Sequence, residues 1–329
     1  MEGFAAGTLV RHRVLGTGKI VAVEALALHV FFPASDTRFA AKLRWPAAGA
    51  FLSREGTEPD PWLQGLTSFA LDPESGRYAL AANFVSQDEA VASFLAEHPG
   101  AFAGEAAAGR GAPRIDRGAR WRGAIRAWET QMGRGQLDRL VADAEHEEVA
   151  RRLLRVVGAT AGVPGMPEPA DLEEAFESGD ELRHFLAALA GYLSVPSPAR
   201  ARFDRLSAAV HALGAGPDAA WPLVTFFPFA ASPERHAVLV PRSACAGASR
   251  LGCELQFQPA PTWATYGRYR ELSTRLLAAL AQSGARDHAD VECFLHATGT
   301  RRPLAERRPR ASAAPPAEAP ARTASRRKR

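Results

Sequence analysis

The sequence predicts an α+β fold: a small N-terminal Tudor-like β-barrel, then a mainly helical or α+β domain, then a disordered basic C-terminal tail. Three observations predict it. Residues 3–54 break into short β-branched runs separated by Gly and Pro-Ala-Ser-Asp turns. Residues 118–213 carry helical periodicity, and the chain beyond 299 is dominated by Pro, Ala and Arg. An apolar share of 47% over 329 residues is ample for packed cores.

Taken in order, "GTLVRH" reads as a strand, "RVLGTG" as a turn, and "KIVAVEA" and "LALHVFF" as two further strands. "PASDT" is a loop and "RFAAKLRW" a fourth strand-like run. The first turn contains "GTGK", half of a phosphate-binding loop, but Arg13 stands where that motif needs its first glycine and Ile20 where it needs Ser or Thr. A dinucleotide fingerprint fails at Val21. Gly16 and Gly18 are therefore expected to serve the hairpin by adopting positive φ. Residues 62–85 predict a hairpin around "DPESG", and Ser86 with Glu89 predicts a capping box opening a helix.

The Gly/Ala-rich stretch within 99–117 predicts a linker. From 118 to 157 the pattern is helical, with Leu140, Val141, Ala144, Val149, Leu153 and Val156 on one face. "ADLEEAFESGDELRHFLAALAGYL" is a further helix weakened at Gly179, and "RARFDRLSAAVHAL" another. Residues 221–299 alternate apolar runs with helical patterns and are expected to be α+β, with "WPLVTFFPFAASPERHAVLVP" as core strand plus buried helix. Trp221, Phe226, Phe227, Phe229, Trp263, Tyr266 and Tyr269 would build that core. The resulting boundaries are 1–55 barrel, 56–98 hairpin and helix, 99–117 linker, 118–220 helical region, 221–299 α+β region and 300–329 tail.

Residues 7–45 combine G-x-x-V-x-H, an apolar-Gly-x-Gly turn, a valine-rich strand, V-x-F-P and a basic strand, through Gly7, Val10, His12, Gly16, Gly18, Val30, Phe32 and Pro33. This pattern resembles the Tudor-like barrel at the C-terminus of UvrD/PcrA-type DNA helicases and, more distantly, CarD-like barrels. It covers about a sixth of the chain, and no helicase motor accompanies it. The resemblance implies a non-enzymatic bacterial adaptor that binds RNA polymerase or nucleic acid in transcription, DNA repair or DNA defence. Residues 221–241 resemble N-terminal regions of McrB-type restriction proteins and neighbouring uncharacterised bacterial families, without a defining motif.

Charge divides unevenly along the chain. Residues 301–329 hold ten Arg or Lys against two Glu, whereas the first 300 residues hold 30 basic and 34 acidic groups. The tail residues Arg326, Arg327, Lys328 and Arg329 are candidates for nonspecific nucleic-acid contact. On the barrel, Arg11, Arg13, Lys19, Arg38, Lys42 and Arg44 are candidate partner-binding cations, and alternation puts Arg11 with Arg13 and Lys42 with Arg44 on their strand faces. His12 reads as a packed structural histidine. A second basic cluster contains Arg114, Arg117, Arg120 and Arg122 around Trp121, an arrangement that could track a strand and stack a base unless Trp121 is core.

One cluster bears the residue types of a hydrolytic metal site: Asp287, His288, Asp290, Glu292 and His296. Phe294 stands where the lysine of a nuclease motif belongs, and helix capping by Asp287 or Asp290 is the simpler reading. A metal-dependent hydrolase or restriction-associated effector is the alternative function, and a protein-interaction scaffold without nucleic acid is another. No cofactor motif, membrane span or secretory signal is present, and Cys245, Cys253 and Cys293 form no C-x-x-C pair, which points to reduced thiols in the cytoplasm.

Overall fold

The computed structural model describes residues 4–35, 38–54, 59–72, 75–80, 84–102, 116–133, 135–177, 179–195 and 198–300. Most of the expected linker at 99–117 and all but the first residue of the tail at 300–329 lie outside these residues.

Strands β1 (Leu9–His12), β2 (Gly16–Glu24), β3 (Ala27–Phe31), β4 (Ala41–Arg44) and β5 (Leu52–Ser53) form one antiparallel sheet in the order β4-β3-β2-β1-β5. β4 and β5 lie on opposite edges, yet a short link with a 3-10 turn over Ala47–Ala50 joins them. Ala48 from that turn, Leu52 and Leu43 all pack with Val10, Ile20, Leu28, Val30 and Phe32. The two edges therefore curl around one interior. The opposite face carries Leu9, Val21 and Phe31, which meet Leu63, Leu66 and Leu80 from the following segment.

The two glycines of the first turn differ. Gly16 has φ +78°, which suits a residue without Cβ. Gly18 does not have positive φ; it is small because a Cβ there would run into the Phe32 ring. The expectation of two left-handed glycines is corrected to one.

Helix α1 (Pro61–Gly65) is capped by Asp60, whose side chain accepts from Leu63 N at 2.9 Å. The predicted hairpin follows as β6 (Phe69–Leu71) and β7 (Tyr78–Leu80). It is bonded to the helical body: Thr67 N and Ser68 N donate to Gly252 O at 2.8 and 2.9 Å, and Val85 N donates to Arg250 O at 2.8 Å. The Ser86–Glu89 capping box opens α2 (Gln87–Glu97) as the spacing predicts.

The helical stretch expected over 118–157 is three helices, α3 (Asp116–Met132), α4 (Gln136–Ala142) and α5 (His146–Gly158). Left-handed Gly135 and Ala144 mark the two breaks. Gly179, at φ +100°, separates α6 (Pro169–Glu173) from α7 (Asp180–Leu193), so the expected weak point is a boundary. Then come α8 (Arg200–Ala212), α9 (Pro217–Ala231), α10 (Pro241–Arg250), α11 (Trp263–Leu280) and α12 (His288–Thr300).

The α+β expectation for 221–299 is corrected: among the described residues this region is helices and irregular connections. The aromatic and β-branched run read as a strand is α9, buried on nearly every face, as a central helix must be. Thr225 Oγ1 donates to Trp221 O at 2.8 Å and accepts from Leu239 N at 3.0 Å, tying α9 to the chain that follows it. The expected aromatics do build this core, with Trp263 only partly buried, and Trp121 and Trp128 of α3 join it.

Candidate functional site

The sheet brings some predicted cations to the surface and removes others. Arg11, Arg13, Arg38, Lys42 and Arg44 are exposed. Lys19 is not: it faces the side covered by α1, is 6% exposed, and donates through Nζ to Gln64 O at 2.5 Å and Leu66 O at 2.7 Å. Burial first, then the nearby Arg275 charge, pulls its pKa down despite the opposing effect of Cys253. Lys42 is ion-paired with Glu24 at 2.9 Å. Glu24 also accepts from His29, and its pKa is lowered by the hydrogen bonds from Lys42 and His29.

The two basic pairs do not form one surface. β2 and β3 separate β1 from β4 in the sheet, and Arg44 lies opposite Ala27 at the β2–β3 turn, whereas Arg11 and Arg13 flank the β1–β2 turn. What gathers around Arg11 and Arg13 is partly apolar. His12 Nδ1 accepts from Val14 N at 3.2 Å and Leu15 N at 3.1 Å, fixing the turn, and its ring lies 6.1 Å from Phe51. Val14 is 85% exposed and Phe51 51%. Arg54, beyond β5, is also exposed, and its neighbour Ser53 lies opposite Arg11. His12 is thus structural, as expected, and it links the turn that carries exposed Val14 to exposed Phe51 on strands that also carry exposed Arg11, Arg13 and Arg54.

The second basic cluster and the acidic cluster turn out to be each other's partners. Arg117 is buried and grips Glu292 with two hydrogen bonds, Nε to Oε2 at 2.7 Å and Nη2 to Oε1 at 2.6 Å. Trp121 Nε1 donates to Glu292 Oε2 at 2.6 Å, and Ser243 Oγ to Oε1 at 2.9 Å. Arg122 pairs with Asp287 and, at 2.7 Å, with Asp290. Arg120 donates to Ala161 O, while Arg114 lies outside the described residues, as do Arg326, Arg327, Lys328 and Arg329. Burial alone would lower the Arg117 and Arg122 pKa values, but the hydrogen bonds and charges of Glu292, Asp287 and Asp290 outweigh it and raise both.

Glycines make this lock possible. A Cβ at Gly247 of α10 would meet Leu295 O at 2.5 Å, and one at Gly299 of α12 would meet Gly247 N at 2.7 Å. The two helices cross at backbone contact, which places Ser243 against Glu292. Glu292 accepts four hydrogen bonds, which leaves its oxygens little to offer a cation. Asp287 Oδ1 accepts from Ala289 N and Asp290 Oδ2 from Arg286 N, so both also cap the start of α12. No group of three or more His, Cys, Asp or Glu among the described residues is arranged to hold a metal ion. The nucleic-acid reading of Arg117 and Arg122 and the metal reading of Asp287, Asp290 and Glu292 are both corrected to structural ion pairs.

His288 is buried, with Nδ1 at 2.7 Å from Ser273 Oγ. Burial pushes its pKa down to about 4, and that of neighbouring buried His236 likewise to about 4. His296 is half-buried and lowered by burial and by the Arg117 charge. All three lowered values favour neutral imidazole near pH 7. The three cysteines are free, and burial raises each thiol.

Sequence reasoning missed how charge separates between the parts. Residues 1–54 hold seven basic and three acidic groups; residues 55–300 hold 23 and 31. It also missed the apolar half of the turn surface. Among the described residues, the exposed large apolar side chains (Val14, Val23, Leu26, Phe51 and Leu71) all lie in the first 71 residues. No helix among the described residues is long and apolar enough to cross a membrane. No protein-family model, curated protein or solved structure matches the chain.

Proposed function

We propose that this chain is a non-enzymatic adaptor that docks on RNA polymerase or nucleic acid through the β1–β2 turn of its N-terminal sheet. The observation that carries the reading is that exposed Val14 and Phe51 and exposed Arg11, Arg13 and Arg54 all lie on the β1–β2 turn and the adjoining β1–β5 strand pair. Exposed apolar groups among cations fit an acidic protein face, where aromatic and Arg side chains supply most binding energy. That places RNA polymerase first. A single strand is the second partner, with Phe51 as a stacking platform and the arginines on phosphates. The motif resemblance of residues 7–45 supports both.

The test is titration of the full-length chain with purified RNA polymerase and, separately, with a single-stranded oligonucleotide over a range of salt. Arg11→Glu with Arg13→Glu is expected to weaken binding at least tenfold, and Phe51→Ala severalfold. Unchanged affinity for both partners in the charge-reversed variant would sink the reading.

A further inference from the structure

A second surface lies on the helical body. Three adjoining hollows, about 800, 690 and 580 Å³, surround the loop between α8 and α9 and share Ala215 and Gly216 as a wall. The largest is floored by small apolar groups, Val210, Ala215, Pro217, Pro259 and Pro261 among them. Their described lining contains five carboxylates, Asp171, Glu174, Glu181, Asp204 and Asp218, against a single arginine, Arg242. Glu174, Glu181 and Asp218 are not engaged in any ion pair among the described residues, and each is solvent-accessible. The neighbouring sequence deepens the bias: from 156 to 182 there are seven acidic residues and no basic one.

An acidic rim around a shallow Pro/Ala floor repels nucleic acid and suits a cationic segment with small apolar side chains. The chain carries one. Residues 301–329 hold ten Arg or Lys among prolines (303, 309, 315, 316 and 320) and alanines. They begin directly after α12 ends at Thr300. At full extension 29 residues reach roughly 100 Å, enough to arrive at any face of the body. Proline fixes φ, so such a segment loses less freedom on docking, and tethering supplies an effective concentration on the order of millimolar. We infer that the acidic hollows around Ala215 and Gly216 are the docking site of the chain's own segment 301–329. Docked there, the segment's positive charge is held against the body, and an anionic partner must compete with the hollows to recruit it. This inference does not depend on the turn surface of the sheet.

The lysine content makes a direct test possible. Of the three lysines, Lys19 is buried on two carbonyls and Lys42 is paired with Glu24, while Lys328 belongs to the segment. Zero-length carbodiimide coupling of the dilute full-length protein at low salt, read by mass spectrometry, is expected to join Lys328 to a carboxylate of the hollows within one chain. Tryptic cleavage after Arg301, Arg307 and Arg310 should be slow at low salt and at least fivefold faster at 0.5 M salt, roughly where charges are screened within 4–5 Å. The variant Glu174→Gln, Glu181→Gln, Asp218→Asn should lose both the link and the protection with its melting temperature unchanged. Lys328 links spread over carboxylates of the whole surface, links only between two chains, or equal cleavage in wild type and variant would each overturn the inference.

Discussion

The sheet and the helical body handle charge in opposite ways. On the sheet, Arg11, Arg13, Arg44 and Arg54 are exposed, and so are apolar Val14, next to Arg13 in the β1–β2 turn, and Phe51 before β5. In the body, the cations that sequence reading singled out are turned inward: Arg117 and Arg122 close on Glu292, Asp287 and Asp290. The difference teaches that clustered arginines have no single meaning. Where the chain surrounds them with carboxylates from a distant helix they brace a core, and where it does not they remain available to a partner.

The sharpest way to break this contrast is at Glu292. Glu292→Ala leaves Arg117 buried without its counter-charge and should cost about 3–5 kcal/mol in chemical denaturation. Arg117→Met combined with Glu292→Leu should recover most of that loss, because the charge and its partner leave together. Acid acts next. His236 and His288 have folded pKa values near 4, below the ordinary value near 6.5, so the unfolded chain binds more protons between those limits. Their contribution is fully present above pH 6.5 and is lost as pH falls toward 4. Each pH unit is worth up to about 1.4 kcal/mol per group, so about 3 kcal/mol per histidine should disappear over that window. Arg270, which faces both rings, opposes their protonation, while Asp287 beside His288 favours it. Denaturation midpoints from pH 4 to 7 check the slope, and His288→Asn should roughly halve it.

At the boundary between the two regions, Lys19→Met removes two charge-assisted hydrogen bonds to carbonyls and should destabilise by about 2 kcal/mol. Tryptic cleavage at Arg54 should accelerate in the same variant if Lys19 clamps the sheet to α1. Ser86→Ala should cost about 1 kcal/mol through loss of the α2 cap, measured the same way. Smallest for stability, Arg11→Glu with Arg13→Glu should stay within about 0.5 kcal/mol of wild type while partner binding falls. A large destabilisation there would mean that these arginines, too, are structural.

What was legible in the sequence was local. The Ser86–Glu89 box, the β6–β7 hairpin and the break at Gly179 are each written in a few adjacent residues, and each forms as expected. The strand pattern of residues 7–45 likewise yields an antiparallel sheet. The failures are nonlocal. Arg117 and Glu292 are 175 residues apart, and no spacing rule connects them. Lys19 has the alternation of an exposed strand residue until α1 covers that face. The strand expectation for 221–299 fails because a helix buried on all sides has no apolar stripe, its aromatic and β-branched residues share strand propensity, and Pro222 and Pro228 argue against a helix interior. The candidate surface at Val14 and Phe51 was half visible: the arginines stood out, and the apolar members became meaningful only once β5 lay beside β1.

The stitching of residues 59–85 to both neighbours has a consequence for inheritance. A gene fragment that carried only residues 1–55 into another host would bring Lys19 without the carbonyls of Gln64 and Leu66, and Phe31 without Leu63, Leu66 and Leu80. A fragment ending after Val85 would keep those contacts but leave Thr67, Ser68 and Val85 without Gly252 and Arg250. Neither cut yields a clean graft. The turn surface can therefore diversify by substitution at Arg11, Arg13, Val14 and Phe51 far more readily than the sheet can be traded as a module.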